Sequence, residues 1–496
     1  MKPSTELFDL IKSLTGTEKR YFRLSASIQK GDKNYIKLFD QIEGMRTYDE
    51  TSLRKYYKRL TFTKNYLYNV IIKSLKAYSA DNSQNVKLQE QLMKLKILYH
   101  KSLFRQFYKV LSLLKERSRQ LENFTVYHEL LKLEIQSVKT RDHKDIDLVK
   151  ILTETKNVLT ITGNLNEFNL ASAIIRDTTR IHGMLRDQNS HKRISKVMDN
   201  PVIKKGITPD STNKEKESYY KLMSAYGYMT GDMNALVDIN EARLQIVENN
   251  PEIFEEDYVL KVIEISGALL HGYIMTEKFE RFDHHFSKLK SLKAFSKLEM
   301  AMKFSKIYLY QFLNLLKQEK FKEGVELVKE AESTLTNYDS TIQKDDLIIL
   351  RYYMCRIFFG AEDYKSALEY SNRLLNHPFI EYRADIQMYA RILNLIIHYE
   401  LQNYDLLPYI VKSVYRFLYK KKNFFRFEKI ILGFLKSLKY STSELELERR
   451  LILLRSDLIR LHDDPFEKNA FMYFELLSWF DRKRKSVKLE TSNVRR

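Results

Sequence analysis

Glycine and proline number only 13 and 7 among the 496 residues of this chain, where average usage is about 7% and about 5%. Folds built from many short strands need both, glycine for turns with positive φ and proline for turns with fixed φ. Sandwiches, barrels and doubly wound sheets are therefore disfavoured, and a mostly helical protein remains. The apolar residues point the same way. Leu53, Tyr56, Tyr57 and Leu60 recur at i, i+3, i+4 and i+7. Leu67, Val70, Ile71, Ser74 and Tyr78 continue that period with one serine in the stripe. Thr15 followed by Glu18 has the form of a capping box, and Asp32 and Asp49 are further N-cap candidates. No segment alternates as a strand would. A hydrophobic fraction of 44% is ample for a large core.

The single cysteine, Cys355, allows no internal disulfide and no Cys₄ or Cys₂His₂ zinc site. That fits a reducing compartment. Residues 1–14 carry Glu6 and Asp9 inside their apolar stretch, so they lack the core of a signal peptide. The densest apolar runs, 393–399 and 430–435, have the length of core helices. A cytoplasmic protein without membrane contact is expected. Net charge is +20, and it is clustered. Residues 1–80 hold 16 basic and 8 acidic side chains, 416–439 hold 8 and 1, and 481–496 hold 7 and 2. Together these segments account for the whole excess. Such clusters attract nucleic acid or an acidic partner, although lysine-rich helices are also simply well solvated.

Residues 189–218 break the helical pattern. They are polar and contain Pro201, Gly206 and Pro209, which predicts a long mobile connection with at most a short helical turn near 192–198. The expected organisation is a basic helical segment over 1–80, helical hairpins over 81–188, the connection over 189–218, helical repeats over 219–480 and a basic disordered tail over 481–496. In the second half four short motifs recur: Glu277-Lys278-Phe279, Glu319-Lys320-Phe321, Glu362-Asp363-Tyr364 and Gln402-Asn403-Tyr404. Their aromatic residues are 42, 43 and 40 positions apart. Each motif lies between two amphipathic stretches, as the bend of a stacked helical hairpin would. Phe279, Phe321, Tyr364 and Tyr404 are then expected to plug the groove of their hairpins. A lone hairpin cannot bury its apolar face, so neighbours must stack.

The clearest unit, 350–378, has Met354, Cys355 and Phe358 on its first helix, then Tyr364, Ala367 and Pro378. It resembles a tetratricopeptide repeat. Phe321, Gly324 and Ala331 give a second partial match, and the resemblance covers residues 220–440. The chain departs from that family in its period, about 42 against the usual ~34, and in lacking the signature tryptophan and most turn glycines. The resemblance implies a right-handed α-solenoid with a concave surface for a peptide or protein. Ser13-Leu14-Thr15 followed by Glu18-Lys19-Arg20-Tyr21-Phe22 also resembles, loosely, the start of helical-repeat proteins of the Bacteroidota type, which implies no activity.

Residues 49–78 read as a helix, a turn at Thr61-Phe62-Thr63 and a longer helix, the spacing of a helix-turn-helix. The second helix leaves Asn65, Asn69, Lys73 and Lys76 opposite its apolar stripe, side chains able to meet base edges and phosphates. The first offers Arg54, Lys55, Lys58 and Arg59 for backbone phosphates. The first hairpins of a basic array would show the same pattern, although the turn lacks its usual glycine. Residues 415–426 interleave aromatic and basic side chains and could stack on single-stranded nucleic acid. A solvated bend with core aromatics fits them equally.

Sequence signatures of catalysis are absent. There is no phosphate-cradling glycine loop, no H-E-x-x-H and no G-x-S-x-G. His271, His284 and His285 are the only local histidine group, and adjacent histidines point about 100° apart on a helix. Cys355 reads as a small buried hydrophobe, and the pairs Asp345-Asp346 and Glu255-Glu256 as residues of helix N-termini. The expectation is a non-enzymatic interaction scaffold, without metal, cofactor or small-molecule ligand, binding a protein or peptide. Arg351, Arg356 and Arg391 would suit an acidic partner. The alternative is a nucleic-acid-binding regulator acting through residues 1–80.

Overall fold

The computed structural model describes residues 5–28, 34–138, 147–376, 383–421, 424–437, 444–464, 466–473, 479 and 482–483. Asp32, Pro378 and nearly all of the 481–496 tail lie outside the described residues. Among the described residues the structure is helical, with no strand. The protein is all-α, and consecutive helices pack against one another in a solenoid-like series.

The first unit comprises α1 (Glu6–Ser13), α2 (Gly16–Ile28), α3 (Asn34–Gly44), α4 (Glu50–Tyr56) and α5 (Leu60–Asn82). It closes on its own apolar core, including Ile11, Phe22, Leu38, Phe39, Leu67 and Ile71. The capping box at Thr15 forms: its hydroxyl accepts from the Glu18 N–H at 3.3 Å, and Glu18 accepts from the Thr15 N–H at 2.7 Å. The α4–α5 turn lies at 57–59 rather than at Thr61-Phe62-Thr63. Leu60 already belongs to the buried stripe of Leu67 and Ile71, so the helix must begin before the threonines. Tyr56 leaves the expected stripe and stands 73% exposed.

Next come α6 (Gln84–His100), α7 (Phe104–Gln120) and α8 (Phe124–Val138), then α9 (Leu148–His182). At 1.5 Å per residue the 35 residues of α9 span about 52 Å. The segment 189–218, expected to be a long mobile connection with at most a short helical turn near 192–198, is largely helical. It holds α10 (Gln188–Met198), α11 (Pro201–Lys205) and the start of α12 (Asn213–Thr230). The reason is local capping. Asp187 accepts from the Asn189 and Ser190 N–H groups, Asn200 caps a helix with Pro201 in its first turn, and Thr212 with Glu215 forms a full capping box. Ile194 and Ile203 then anchor the two short helices in the core.

The array continues through α13 (Met233–Asn249), α14 (Tyr258–Met275), α15 (Phe279–Ser291), α16 (Lys297–Lys317), α17 (Phe321–Tyr338), α18 (Lys344–Gly360), α19 (Tyr364–Leu375), α20 (Ala384–Glu400), α21 (Leu407–Lys421), α22 (Arg426–Ser437) and α23 (Glu444–His462). A short 3₁₀ turn follows at Lys468–Met472. Among the described residues, α14 alone is long and apolar enough to cross a membrane, at mean hydropathy 1.2, and 56% of it is buried within the array.

The bends between helices share one construction. Glu277, Glu319, Glu362 and Gln402 all adopt positive φ, between 54° and 61°. The next residue returns its N–H to a carbonyl five positions back, as in Lys278 to Tyr273 at 2.8 Å and Lys320 to Leu315 at 2.9 Å. These are Schellman closures made without glycine. Ser102, Glu122 and Gly231 build the same closure at three further bends. Phe279, Phe321 and Tyr364 then open α15, α17 and α19, half-buried. Phe321 lies on Gly360 of α18, where any Cβ would overlap its ring. Tyr364 meets Phe359 with ring centroids 5.7 Å apart, and Tyr404 meets Tyr399 at 6.0 Å. Ala367 is fully buried, and its carbonyl accepts from the Cys355 thiol at 3.3 Å.

Helix α9 and the five residues after it link distant parts of the array, packing on α12 and reaching α20. Gly183 ends the helix at φ 74°, where a Cβ would sit 2.7 Å from that of Asp385. The Leu185 N–H then bonds to the Met229 carbonyl at 2.9 Å, and the Met184 N–H to the Tyr473 hydroxyl at 3.0 Å. Arg186 enters a buried site. It donates to Glu428 at 2.6 Å, to Glu467 at 2.7 Å and to the Tyr389 hydroxyl at 2.9 Å, with its guanidinium 4.7 Å from the Phe425 ring centroid.

Candidate functional site

Three surfaces carry chemistry beyond packing. The first lies on the N-terminal unit. Arg54, Lys55, Lys58 and Arg59 are exposed at the end of α4 and the following turn, and Asn65, Asn69, Lys73 and Lys76 are exposed along α5. The α5 four share the face opposite Leu60, Leu67 and Ile71, as the 100° step requires. Phe62 and Tyr66 join that face at 71% and 45% exposure, and sequence reasoning missed both. Their i, i+4 spacing in phase with Asn65 and Asn69 is the signal that would have found them. Arg54 is committed locally. It pairs with Glu50 at 2.7 Å, and this hydrogen bond, with help from Lys64, holds the Glu50 carboxyl down to about 2. The Asn69 amide donates to the Asn65 carbonyl at 2.9 Å.

The second surface is a groove of about 700 Å³ between α21 and α22. Leu407, Pro408, Val411, Tyr415 and Leu435 give it an apolar wall, with Lys412, Arg416 and Lys436 on the rim and Asp405 as its one carboxylate. Tyr415 is 47% exposed. The aromatic–basic stretch 415–426 therefore divides. Tyr415, Arg416 and Tyr419 face out, while Leu418 is buried and Phe417 lies 3.8 Å below the Arg391 guanidinium.

That contact engages Arg391, and burial lowers its pKa to about 10. Arg356 is buried, donating to the Tyr473 carbonyl at 3.0 Å, and Arg351 pairs with Asp339 at 3.2 Å. Arg356 is thus withdrawn from the surface, while Arg351 and Arg391 are part-exposed and each already engaged by a neighbouring side chain.

The third surface is a recess lined by charged and aromatic side chains. Two adjoining cavities of about 240 and 300 Å³ are walled by α12, α14, α16, α18 and Arg383 before α20, the larger also by α9 and α13. Both are lined by Tyr228, His271, Lys306, Tyr310, Asp345 and Arg383. His271 is held between Tyr228 and Tyr310, at ring-centroid distances of 5.3 and 6.2 Å, and burial pushes its pKa down to about 4. Its Nε2 atom and the Oδ1 atom of Asp345 are buried without a hydrogen-bond partner. Burial raises the Asp345 carboxyl above its usual range. The neighbouring Asp346 is instead satisfied by Ser305 and Lys306, both at 2.9 Å.

Among the described residues no group of three or more His, Cys, Asp or Glu side chains is arranged to hold a metal ion. His284 is exposed and His285 buried, so the adjacent pair faces two environments. Burial pushes the Cys355 thiol up to about 12, which leaves no thiolate for nucleophilic chemistry near neutrality. No family model, curated protein or solved structure matches the chain.

Proposed function

We propose that this chain is a non-enzymatic, cytoplasmic interaction scaffold that binds a protein segment on its helical-hairpin surface. The observation that carries this reading is the α21–α22 groove, with its apolar wall and its rim of Lys412, Arg416 and Lys436 against a single Asp405. Such a groove suits an amphipathic segment whose apolar side chains enter while flanking carboxylates meet the rim. The tetratricopeptide-like hairpins support the same reading. The test compares capture from nuclease-treated native lysate by the full chain and by a Tyr415→Ala/Arg416→Glu variant. Both positions are exposed, so the variant is expected to melt like the parent. A partner bound by the parent and lost by the variant is expected. Equal capture by both would overturn the assignment to this groove.

The α5 face favours a second reading, nucleic-acid binding by the N-terminal unit. Two exposed aromatic rings among Asn65, Asn69, Lys73 and Lys76 combine stacking surfaces with phosphate-binding charge. Fluorescence anisotropy with single-stranded and duplex oligonucleotides decides it. Binding should weaken as salt rises, and Lys55, Lys58, Arg59 and Lys76 neutralised together should abolish it.

A further inference from the structure

The paired cavities beneath α9 are a site in their own right. Two polar atoms of residues lining both cavities, His271 Nε2 and Asp345 Oδ1, are buried and have no hydrogen-bond partner among the described residues. A buried polar group left unsatisfied is destabilising, so two of them at one cavity call for an occupant. The cavities also differ in chemistry. The larger adds Arg176, Arg180 and Lys221 to the shared lining, and carries six cationic against two carboxylate side chains. Arg243 is neutralised there by Glu217 and Glu264, Lys306 by Asp346 and Arg383 by Asp385. Arg176 and Lys221 form no ion pair among the described residues. The smaller cavity is walled by Tyr310, Tyr353 and Tyr352 and contains the His271 and Asp345 atoms.

We propose that these chambers bind a phosphorylated small molecule of mononucleotide size, with its phosphate beside Arg176 and Lys221 and a ring bearing hydrogen-bond donors between the tyrosines, facing His271 and Asp345. The division of charge sets the orientation. A phosphate placed next to Asp345 would meet a carboxyl group, whereas next to Arg176 and Lys221 it meets unpaired cations. A ring amino group donates to Asp345 and His271, and the aromatic walls cover its faces. The combined space matches the smaller ligand sites of proteins, about 300–1,000 Å³. The occupant would touch α9, α12, α14, α16 and α18 together, and so would brace α9 against the helices it packs on.

The experiment is thermal melting and titration calorimetry of the full chain with AMP, GMP, CMP and UMP, alongside adenosine, ribose 5-phosphate and inorganic phosphate. At least one mononucleotide should raise the melting temperature and bind at least about tenfold more tightly than the matching fragments. An Arg176→Ala/Lys221→Ala variant, changed at two side chains outside every direct ion pair although the Lys221 charge helps hold Glu217 and Glu264 down, should keep the parent's fold and lose about tenfold or more in affinity for the nucleotide. It should change little toward adenosine. His271→Ala should weaken nucleotide and nucleoside equally. No shift with any probe would mean that the chambers hold only water and would sink the proposal. So would a shift that the Arg176→Ala/Lys221→Ala variant retains in full, because the ligand would then sit elsewhere.

Discussion

The N-terminal unit and the array place their charges in opposite ways. Around α1 to α5 the core is apolar, and the ion pairs lie at its margin or outside it, the least exposed being Lys64 with Glu50 at 13% and 14%. Arg23 meets Asp40 with side chains 42% and 53% exposed, and Arg54 meets Glu50 from a side chain 66% exposed. In the array the strongest pairs are interior. Arg186 and Glu428 are 3% and 0% exposed, Arg243 and Glu217 are 2% and 4%, and Arg383 and Asp385 are 8% and 3%. Exposed pairs contribute about 0–1 kcal/mol, because water already solvates both charges. A buried pair adds little over an apolar replacement, yet it is costly to break, because the surviving charge is stranded. The first unit is thus held by local apolar stripes. The array is held in one arrangement by buried charge pairs, of which the Arg186 pairs with Glu428 and Glu467 join segments 242 and 281 positions apart.

The sharpest break of this contrast is Arg186→Ala. It strands Glu428 and Glu467 and removes the anchor of the 183–187 crossing, so a loss of about 3–5 kcal/mol is expected in denaturant unfolding. Arg23→Ala should cost no more than about 1 kcal/mol. Hydrogen exchange should locate the difference. Amides of α20 and α22 lose protection in Arg186→Ala while those of α1 to α5 keep theirs. Equal loss in both regions would mean that the two fold as one cooperative body.

A second probe is acid. Residues 1–80 contain no histidine, whereas burial holds His271 and His285 in the array each at about 4 rather than 6.5. Between those values the unfolded chain binds the proton and the folded chain resists it. The stabilisation is complete above pH 6.5 and is lost as pH falls toward 4, on the order of 2–3 kcal/mol per histidine. Glu50, held down to about 2, keeps its contribution until pH drops below about 4.5. Exchange followed from pH 7 to 4.5 should therefore show the array loosening first. Simultaneous loosening of α1 to α5 would contradict the contrast.

Packing gives a smaller effect. A Cβ at Gly324 would overlap the Ile357 side chain of the next hairpin, while nothing lies within 4 Å of one at Gly44. Gly324→Val should cost about 1–3 kcal/mol by overpacking, and Gly44→Ala should stay within about 0.5 kcal/mol. Melting of the two variants beside the parent checks both.

The helical class, the capping at Thr15 and Asp49, and four of the bends were legible in the sequence because each rests on residues a few positions apart. Polar composition misled over 189–218, where caps at Asp187, Asn200 and Thr212 outweigh it. The three bends at Ser102, Glu122 and Gly231 escaped notice because they fall outside the spacing of about 42. The Arg186 site could not have been read at all. Its partners lie 242 and 281 positions away, and no local pattern distinguishes a glutamate that will be buried from one that will stay on the surface. The two adjoining cavities were invisible for the same reason, being assembled from seven helices.

The smallest effect tests the bends themselves. Glu319 and Glu362 hold positive φ with a Cβ, a conformation that costs an ordinary residue roughly 1 kcal/mol and glycine almost nothing. Glycine in exchange makes the unfolded chain more flexible, which offsets part of the gain. Glu319→Gly and Glu362→Gly should each therefore stabilise by a few tenths to about 1 kcal/mol, and the double variant should add, since the bends lie in successive hairpins. Glu18→Gly, at the N3 position of the capping box in the first unit, should instead destabilise by about 1 kcal/mol, because there the helix loses a carboxylate that the Thr15 N–H needs. Opposite signs for the same Glu→Gly change would show that the array tolerates strained turns which its packing over-determines. Matching signs would mean that these bends carry no strain, and that their residues were placed there for the charge they present rather than in spite of their backbone.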